Sequence, residues 1–208
     1  LMWDNAYCLH EVYGEFVPFR DMLTLCREAG NADMVYEFAS TSKITFPGAG
    51  VAVMAASEAN LKYLSGLLGA QTISYDKVNQ LRHVRFLQDK AHVLELMQRH
   101  AAILRPKFEA VLAALRGIAP LNIAPKGGYF VSCDAMPGTA KRTLALCAEA
   151  GVTMTPAGAT YPGGNDPADS NIRIAPSYPT VEDLEAALDV LVLAVKLVAA
   201  ELARAECA

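Results

Sequence analysis

Polar and apolar positions change their period several times along this chain, and each change marks an element. "MWDNAYCLH" alternates, which predicts a short strand running into a loop. "PFRDMLTLCREAG" carries apolar residues at Met22, Leu23, Leu25 and Cys26 and closes on Gly30, the pattern of a helix with a glycine stop. "DMVYEFAST" and "GVAVMAAS" read as strands, with a lysine and a glycine-rich turn between them. "SEANLKYLSGLLG" reads as a helix capped by Ser57, with Asn60 where a capping box prefers Glu or Gln. From about Lys77 to Arg116 the pattern is strongly helical, and Pro106 inside it predicts a kink or a break.

After "IAPLNIAPKGG" comes a smaller unit. Its predicted order is strand "GYFVSCD", helix "TAKRTLALCAEAG", strand "VTMTPA", loop "GATYPGGNDPADS" and strand "NIRIAPS". A last helix starts at the cap Thr180, with Asp183 completing an acidic variant of the capping box. In it Leu184, Leu188, Leu191, Val195, Val198 and Leu202 step by three and four, a stripe that faces a core. Strands alternating with helices predict an α/β fold with a mostly parallel sheet, followed by a small α+β unit.

Composition narrows the function classes. At 208 residues, 53% hydrophobic and 19% charged, the chain can bury a core as one large domain or two modest ones. A net charge of −4 without a basic cluster argues against nucleic acid as a partner. The most apolar stretch, within the last helix, is interrupted by Asp189, Lys196 and Glu201, so no membrane span is expected. The opening residues have neither a basic start nor a uniform apolar centre, so no signal peptide is expected there. Five scattered cysteines (Cys8, Cys26, Cys133, Cys147, Cys207) form no CxxC pair and predict reduced thiols in a cytoplasmic setting. His92 and His100 are too widely spaced for a HExxH pair, so they read as solvated or core histidines and no metal is expected. The chain opens on Leu1 and is inside a strand within a few residues, the expectation for a piece of a longer polypeptide.

The chemistry concentrates around Lys43. An amine at the end of a strand can attack carbonyls when it is unprotonated. Ser40, Thr41 and Ser42 put three hydroxyls before it, and Gly48 and Gly50 after it allow a close backbone approach, features that suit a phosphate. Upstream, "DNAY" places Asp4 and Tyr7 near a strand end. A carboxylate and a phenol near a lysine meet the needs of a pyridinium cofactor, whose ring nitrogen must stay protonated for the ring to accept electrons. Taken alone, Asp4 reads equally as a turn cap.

In order, D-x-x-Y, S-x-S-K with a proline-glycine turn, G-G-x-F and an I-R strand resemble the class I aminotransferases of the fold-type I pyridoxal-phosphate enzymes. The likeness covers essentially the whole chain. "STSKITFPGAG", "DKVNQLRHVRFL" and "NIRIAPSYPT" are most similar to a bacterial aspartate aminotransferase subgroup. The resemblance implies pyridoxal 5'-phosphate as cofactor, with Lys43 as its Schiff-base lysine and the carrier of the proton shift between substrate Cα and cofactor C4′. It implies Asp4 on the pyridine nitrogen, Tyr7 on the phenolic oxygen, Ser40 and Ser42 at the phosphate, and Arg173 on the substrate α-carboxylate. A planar guanidinium fork suits a carboxylate. It also implies residues 1–104 as the C-terminal part of the cofactor-binding large domain and 105–208 as the small C-terminal domain, in a homodimer.

The sequence departs from the family pattern at one place. An arginine usually follows the lysine by seven or eight residues to neutralise the phosphate, and here those positions hold Gly50 and Val51. Gly127 and Gly128 read either as the family's paired glycines or as a plain turn. Lys77, Arg82 and Arg85 are candidates for a cation that selects a dicarboxylate substrate, and equally a solvated helix face.

Three other readings stand beside transamination of an amino acid, aspartate, and a 2-oxo acid, 2-oxoglutarate. A sensor domain of a regulator that binds pyridoxal phosphate would share these residues, and so would a lyase using the same cofactor. Ser40 to Lys43 also fits S-x-x-K of serine acylases, but there the serine opens a helix, which Pro47 and the glycines forbid here. The resemblance places the phosphate loop and ring-stacking aromatic outside this chain. The isolated chain is therefore expected to transaminate poorly or not at all, which a turnover assay with added cofactor checks.

Overall fold

A computed structural model describes residues 1–121 and 124–206, so Cys207 lies outside the described residues. The chain divides into two compact units, one of Leu1–Glu11 with Glu15–Gln98, the other of Val12–Gly14 with Arg99–Ala208.

In the first unit β1 (Met2–Asp4), β2 (Tyr36–Ser40) and β3 (Ala52–Ala56) form a sheet in that order. β1 and β2 are parallel, with Asp4 opposite Phe38. β2 and β3 are antiparallel, with Ser40 opposite Ala52. The mixed pairing has a geometric cause. The connection from β1 to β2 includes the helix α1 (Met22–Glu28) and is long enough for a parallel return, whereas the segment from β2 to β3 is a compact turn.

Helix α1 starts where Asp21 caps the amide of Thr24, and its last turn is followed by Gly30 in the left-handed region. Helix α2 (Glu58–Gln71) starts on Ser57, whose Oγ accepts from the Asn60 amide at 3.2 Å. Helices α3 (Lys77–Leu87) and α4 (Lys90–Ala114) follow.

The long helical run is interrupted, but not at Pro106. Gln88 has φ +55° and closes α3 through its amide to Val84, and Asp89 then caps α4 by accepting from the His92 amide at 3.0 Å. Pro106 lies inside α4, which continues past it. A mid-helix proline costs about 3 kcal/mol. Burial of Leu104, Phe108, Val111 and Leu115 on the same helix returns more than that, at roughly 1.5–3 kcal/mol per large side chain.

The second unit pairs β4 (Val131–Asp134) antiparallel with β5 (Asn171–Ile174), alongside α5 (Ala140–Glu149) and α6 (Val181–Glu206). Its core joins Phe108, Val111, Val131, Cys133, Cys147 and Ile172 to the α6 stripe of Leu184, Leu188, Leu191 and Val195. The α6 cap is as the sequence predicts: the Asp183 amide donates to Thr180 Oγ1 at 3.1 Å, and that hydroxyl donates to the Asp183 carboxylate at 3.0 Å. The predicted strand "VTMTPA" does not form. A strand needs a ladder partner, β4 and β5 pair with each other, and none of the described residues pairs with Val152 to Ala157.

Asp166 and Asn171 fix the loop that leads into β5. Asp166 is buried and accepts from the amides of Asn171 and Ser170, both at 2.8 Å, and of Ala168 at 3.0 Å. The Asn171 amide is the largest influence holding its carboxyl below the ordinary aspartate range, with the other backbone donors adding to it. Asn171 donates to Ser132 Oγ at 3.0 Å and to the Asp134 carboxylate at 2.9 Å, and accepts from Thr160 Oγ1 at 2.7 Å.

Asp166→Ala is expected to lower the thermal midpoint by about 4–8 °C at neutral pH, because buried amides lose their acceptor. The folded carboxyl titrates below the unfolded one, so its stabilisation is complete above the ordinary aspartate range and is lost as pH falls through the folded value. Melting curves of wild type and variant should therefore draw together as the pH falls below the ordinary aspartate range.

Candidate functional site

Parallel pairing of β1 and β2 brings their carboxyl ends to one sheet edge. Asp4 is the last residue of β1, and the Asn5 amide adds one more rung to Phe38 O at 2.7 Å. The exposed Asp4 carboxylate accepts from the Ala6 amide at 2.9 Å and turns the chain away from the sheet. The turn then closes on itself through Cys8 N–H to Asn5 O and His10 N–H to Tyr7 O, each at 3.2 Å. Tyr7, at its outer side, is exposed.

β2 ends at Ser40, and a single tight turn carries Lys43. The amides of Ile44 and Thr45 both reach back to Thr41 O at 2.9 Å. Thr41 also bonds the returning chain twice, through its amide to Val51 O and through its Oγ1 from the Val51 amide, both at 2.9 Å. Ser40 Oγ and Ser42 Oγ lie 2.7 Å apart, and the Ser42 amide donates to Ser40 Oγ at 3.1 Å. The two hydroxyls are thus paired beside an exposed lysine.

Two histidines absent from the sequence-level list hold this turn. His10 is buried, and its Nε2 lies 3.1 Å from Lys43 O. His83, on α3 and also buried, meets Thr45 Oγ1 at 2.8 Å through Nε2 and donates to Asn79 O at 2.9 Å through Nδ1. Asn79 in turn donates to Ala49 O at 2.8 Å, so α3 grips both arms of the turn. Phe46 packs edge-on against His83, with the Arg82 guanidinium 5.9 Å from its ring centre. Lys77, Arg82 and Arg85 are all exposed on α3.

The turn explains why no arginine stands at position 50. A Cβ on Gly50 would lie 2.2 Å from Ser42 Oγ and 3.0 Å from the Ser42 backbone. Any side chain there collides with the paired hydroxyls, and the Val51 backbone is already committed to Thr41. The groups on offer are hydroxyl, amine and phenol donors and one accepting carboxylate. That set fits a phosphate-bearing aldehyde with a basic ring nitrogen.

Arg173 belongs to the second unit, on β5 opposite Ser132. Its guanidinium stacks 4.5 Å from the Phe130 ring centre and donates through Nη2 to Thr155 Oγ1 at 3.4 Å. Its Nε is buried and has no hydrogen-bond partner among the described residues. An aromatic face orients the planar fork while leaving donors for a ligand.

The family model for aspartate aminotransferase matches residues 1–206. The chain belongs to the aspartate aminotransferase family. A relative from Mycolicibacterium smegmatis, named no further than aminotransferase, is 48% identical over 97% of this chain and 48% of its own length. The aspartate aminotransferase of Corynebacterium glutamicum is 44% identical over 97% of this chain and 48% of its own length. The crystal structure of an aspartate transaminase from that organism superposes with a TM-score of 0.93 at 45% identity, over 96% of this chain and 48% of that one. The chain thus spans about half the length of the curated relatives it matches. Within the family, the fold is part of the pyridoxal-phosphate transferase architecture, a mixed α/β arrangement.

Gly50→Ala is expected to displace Ser42 and destabilise the turn by about 1–3 kcal/mol, the range for overpacking a tight site. Denaturant unfolding measures the loss, and hydrogen exchange at residues 41–45 should accelerate with it.

Proposed function

We propose that this chain contributes the lysine half of a pyridoxal-phosphate-dependent aminotransferase that moves an amino group between an amino acid, aspartate, and a 2-oxo acid, 2-oxoglutarate. The observation that carries the reading is Lys43, set directly behind β2 at the same sheet edge as Asp4 and followed by a turn gripped from α3. Family membership over residues 1–206 supports it. The activity is proposed for a polypeptide of the relatives' length, acting as a homodimer in the cytoplasm. No helix among the described residues is long and apolar enough to cross a membrane.

When bound, the cofactor supplies an electron-accepting ring that stabilises negative charge at the substrate Cα. The residues divide the remaining work. Lys43 would hold the cofactor through its aldehyde, and its amine would carry the proton from the substrate Cα to the cofactor C4′. Asp4 keeps a proton on the ring nitrogen, since a carboxylate beside that atom favours its charged form. Tyr7 donates to the phenolic oxygen. Ser40 and Ser42 bind the phosphate with neutral hydroxyl donors. Arg173 takes the substrate α-carboxylate with the donors that Phe130 and Thr155 leave open.

In a full-length polypeptide carrying this sequence, borohydride reduction with pyridoxal phosphate should fix one adduct, which peptide mass mapping places on Lys43. Lys43→Ala should abolish both adduct and turnover with aspartate and 2-oxoglutarate. Arg173→Lys should raise KM for the amino acid about tenfold or more while leaving the Lys43 adduct intact, since a point charge replaces a fork. An adduct on another lysine, or none, removes the reading.

A further inference from the structure

His10 is a polar side chain in an expensive place. It is 4% exposed, and a buried imidazole N–H costs free energy unless an acceptor meets it. The acceptor is the backbone of Lys43. Nε2 lies 3.1 Å from Lys43 O, and because a carbonyl only accepts, Nε2 carries the proton and donates. The same ring meets Tyr7 edge to face, with centroids 5.4 Å apart and planes at 67°. One imidazole therefore touches both the turn that leaves β1 and the turn that leaves β2. The His10 contact lies beyond the Asn5 rung, where it reaches from the chain that leaves β1 to the Lys43 backbone.

We infer that His10 is a positioning residue: it fastens the Asp4–Tyr7 turn to the Lys43 backbone and so sets where phenol and amine stand relative to each other. The assignment rests on the roles proposed above for Tyr7 and Lys43, but the link itself is a property of the folded chain. A ring that merely filled space would be replaceable by Leu. A ring that works through its Nε2 proton is replaceable only by a donor of equal reach. Gln has one, whereas the shorter Asn amide does not.

The test uses the full-length polypeptide carrying this sequence, as wild type, His10→Leu, His10→Gln and His10→Asn, each with and without Tyr7→Phe. The first arm has no cofactor and follows hydrogen exchange in peptides spanning residues 5–10 and 41–46. His10→Leu and His10→Asn should speed exchange in both segments by about tenfold, and His10→Gln should stay within about threefold of wild type, the size of one lost or kept hydrogen bond. The second arm titrates pyridoxal phosphate and reads the visible band and the borohydride-fixed mass at Lys43. Tyr7→Phe should weaken binding in the wild-type and His10→Gln backgrounds and add nothing in His10→Leu or His10→Asn.

Leu, Asn and Gln variants that exchange alike, or a Tyr7→Phe effect equal in all backgrounds, overturns the inference. If His10→Leu does not fold, the contrast between His10→Asn and His10→Gln decides it. A wild type that forms no adduct at Lys43 overturns the proposed function instead, and the exchange arm still tells whether His10 joins the two turns.

Discussion

Parallel hydrogen bonding between two short strands is the constraint on which this molecule's chemistry depends. With β1 and β2 side by side and pointing the same way, a carboxylate at the end of one and a lysine beyond the other emerge at a common edge. Side chains alternate along a strand, so a slip of one residue would send Asp4 and Phe38 to opposite faces. Buried Val35 just before β2 and the Asn5 rung just after β1 pin that register at both ends. Open α/β sheets place their ligands outside the carboxyl ends of strands, and here the reason is visible in individual bonds.

Beyond the sheet, the lysine turn is stabilised by many small terms rather than one large one. Thr41 contributes its amide, carbonyl and hydroxyl, and α3 adds the Thr45–His83 and Asn79–Ala49 contacts. Each hydrogen bond is worth only about 0.5–1.5 kcal/mol net, whereas orphaning a buried partner costs about 1–3 kcal/mol. The turn is therefore held by many specific partners, each of which would be costly to orphan.

Local signals in the sequence translate directly into structure. The caps at Ser57 and Thr180, the α6 stripe and the strand end at Asp4 all follow from neighbours within a few positions. What the sequence hides is set by distant partners. Pro106 looks like the breaking point, but core burial carries α4 through it, and the interruption falls at Gln88 and Asp89, where two caps meet. "VTMTPA" has strand-like residues and no ladder to join. His10 and His83 stabilise contacts 33 and 38 residues away, and no periodicity announces a bond of that separation. A weak hint exists for His10, three positions after Tyr7, a spacing that puts two rings on one side of a turn.

The contact between Gly50 and Ser42 also bears on how such a protein can change. Position 50 has no room for a side chain while the hydroxyl at 42 is present. A side chain at 50 has to be accommodated by a shift of Ser42, whose backbone as well as its hydroxyl stands against it, so each of the two positions restricts what the other can hold.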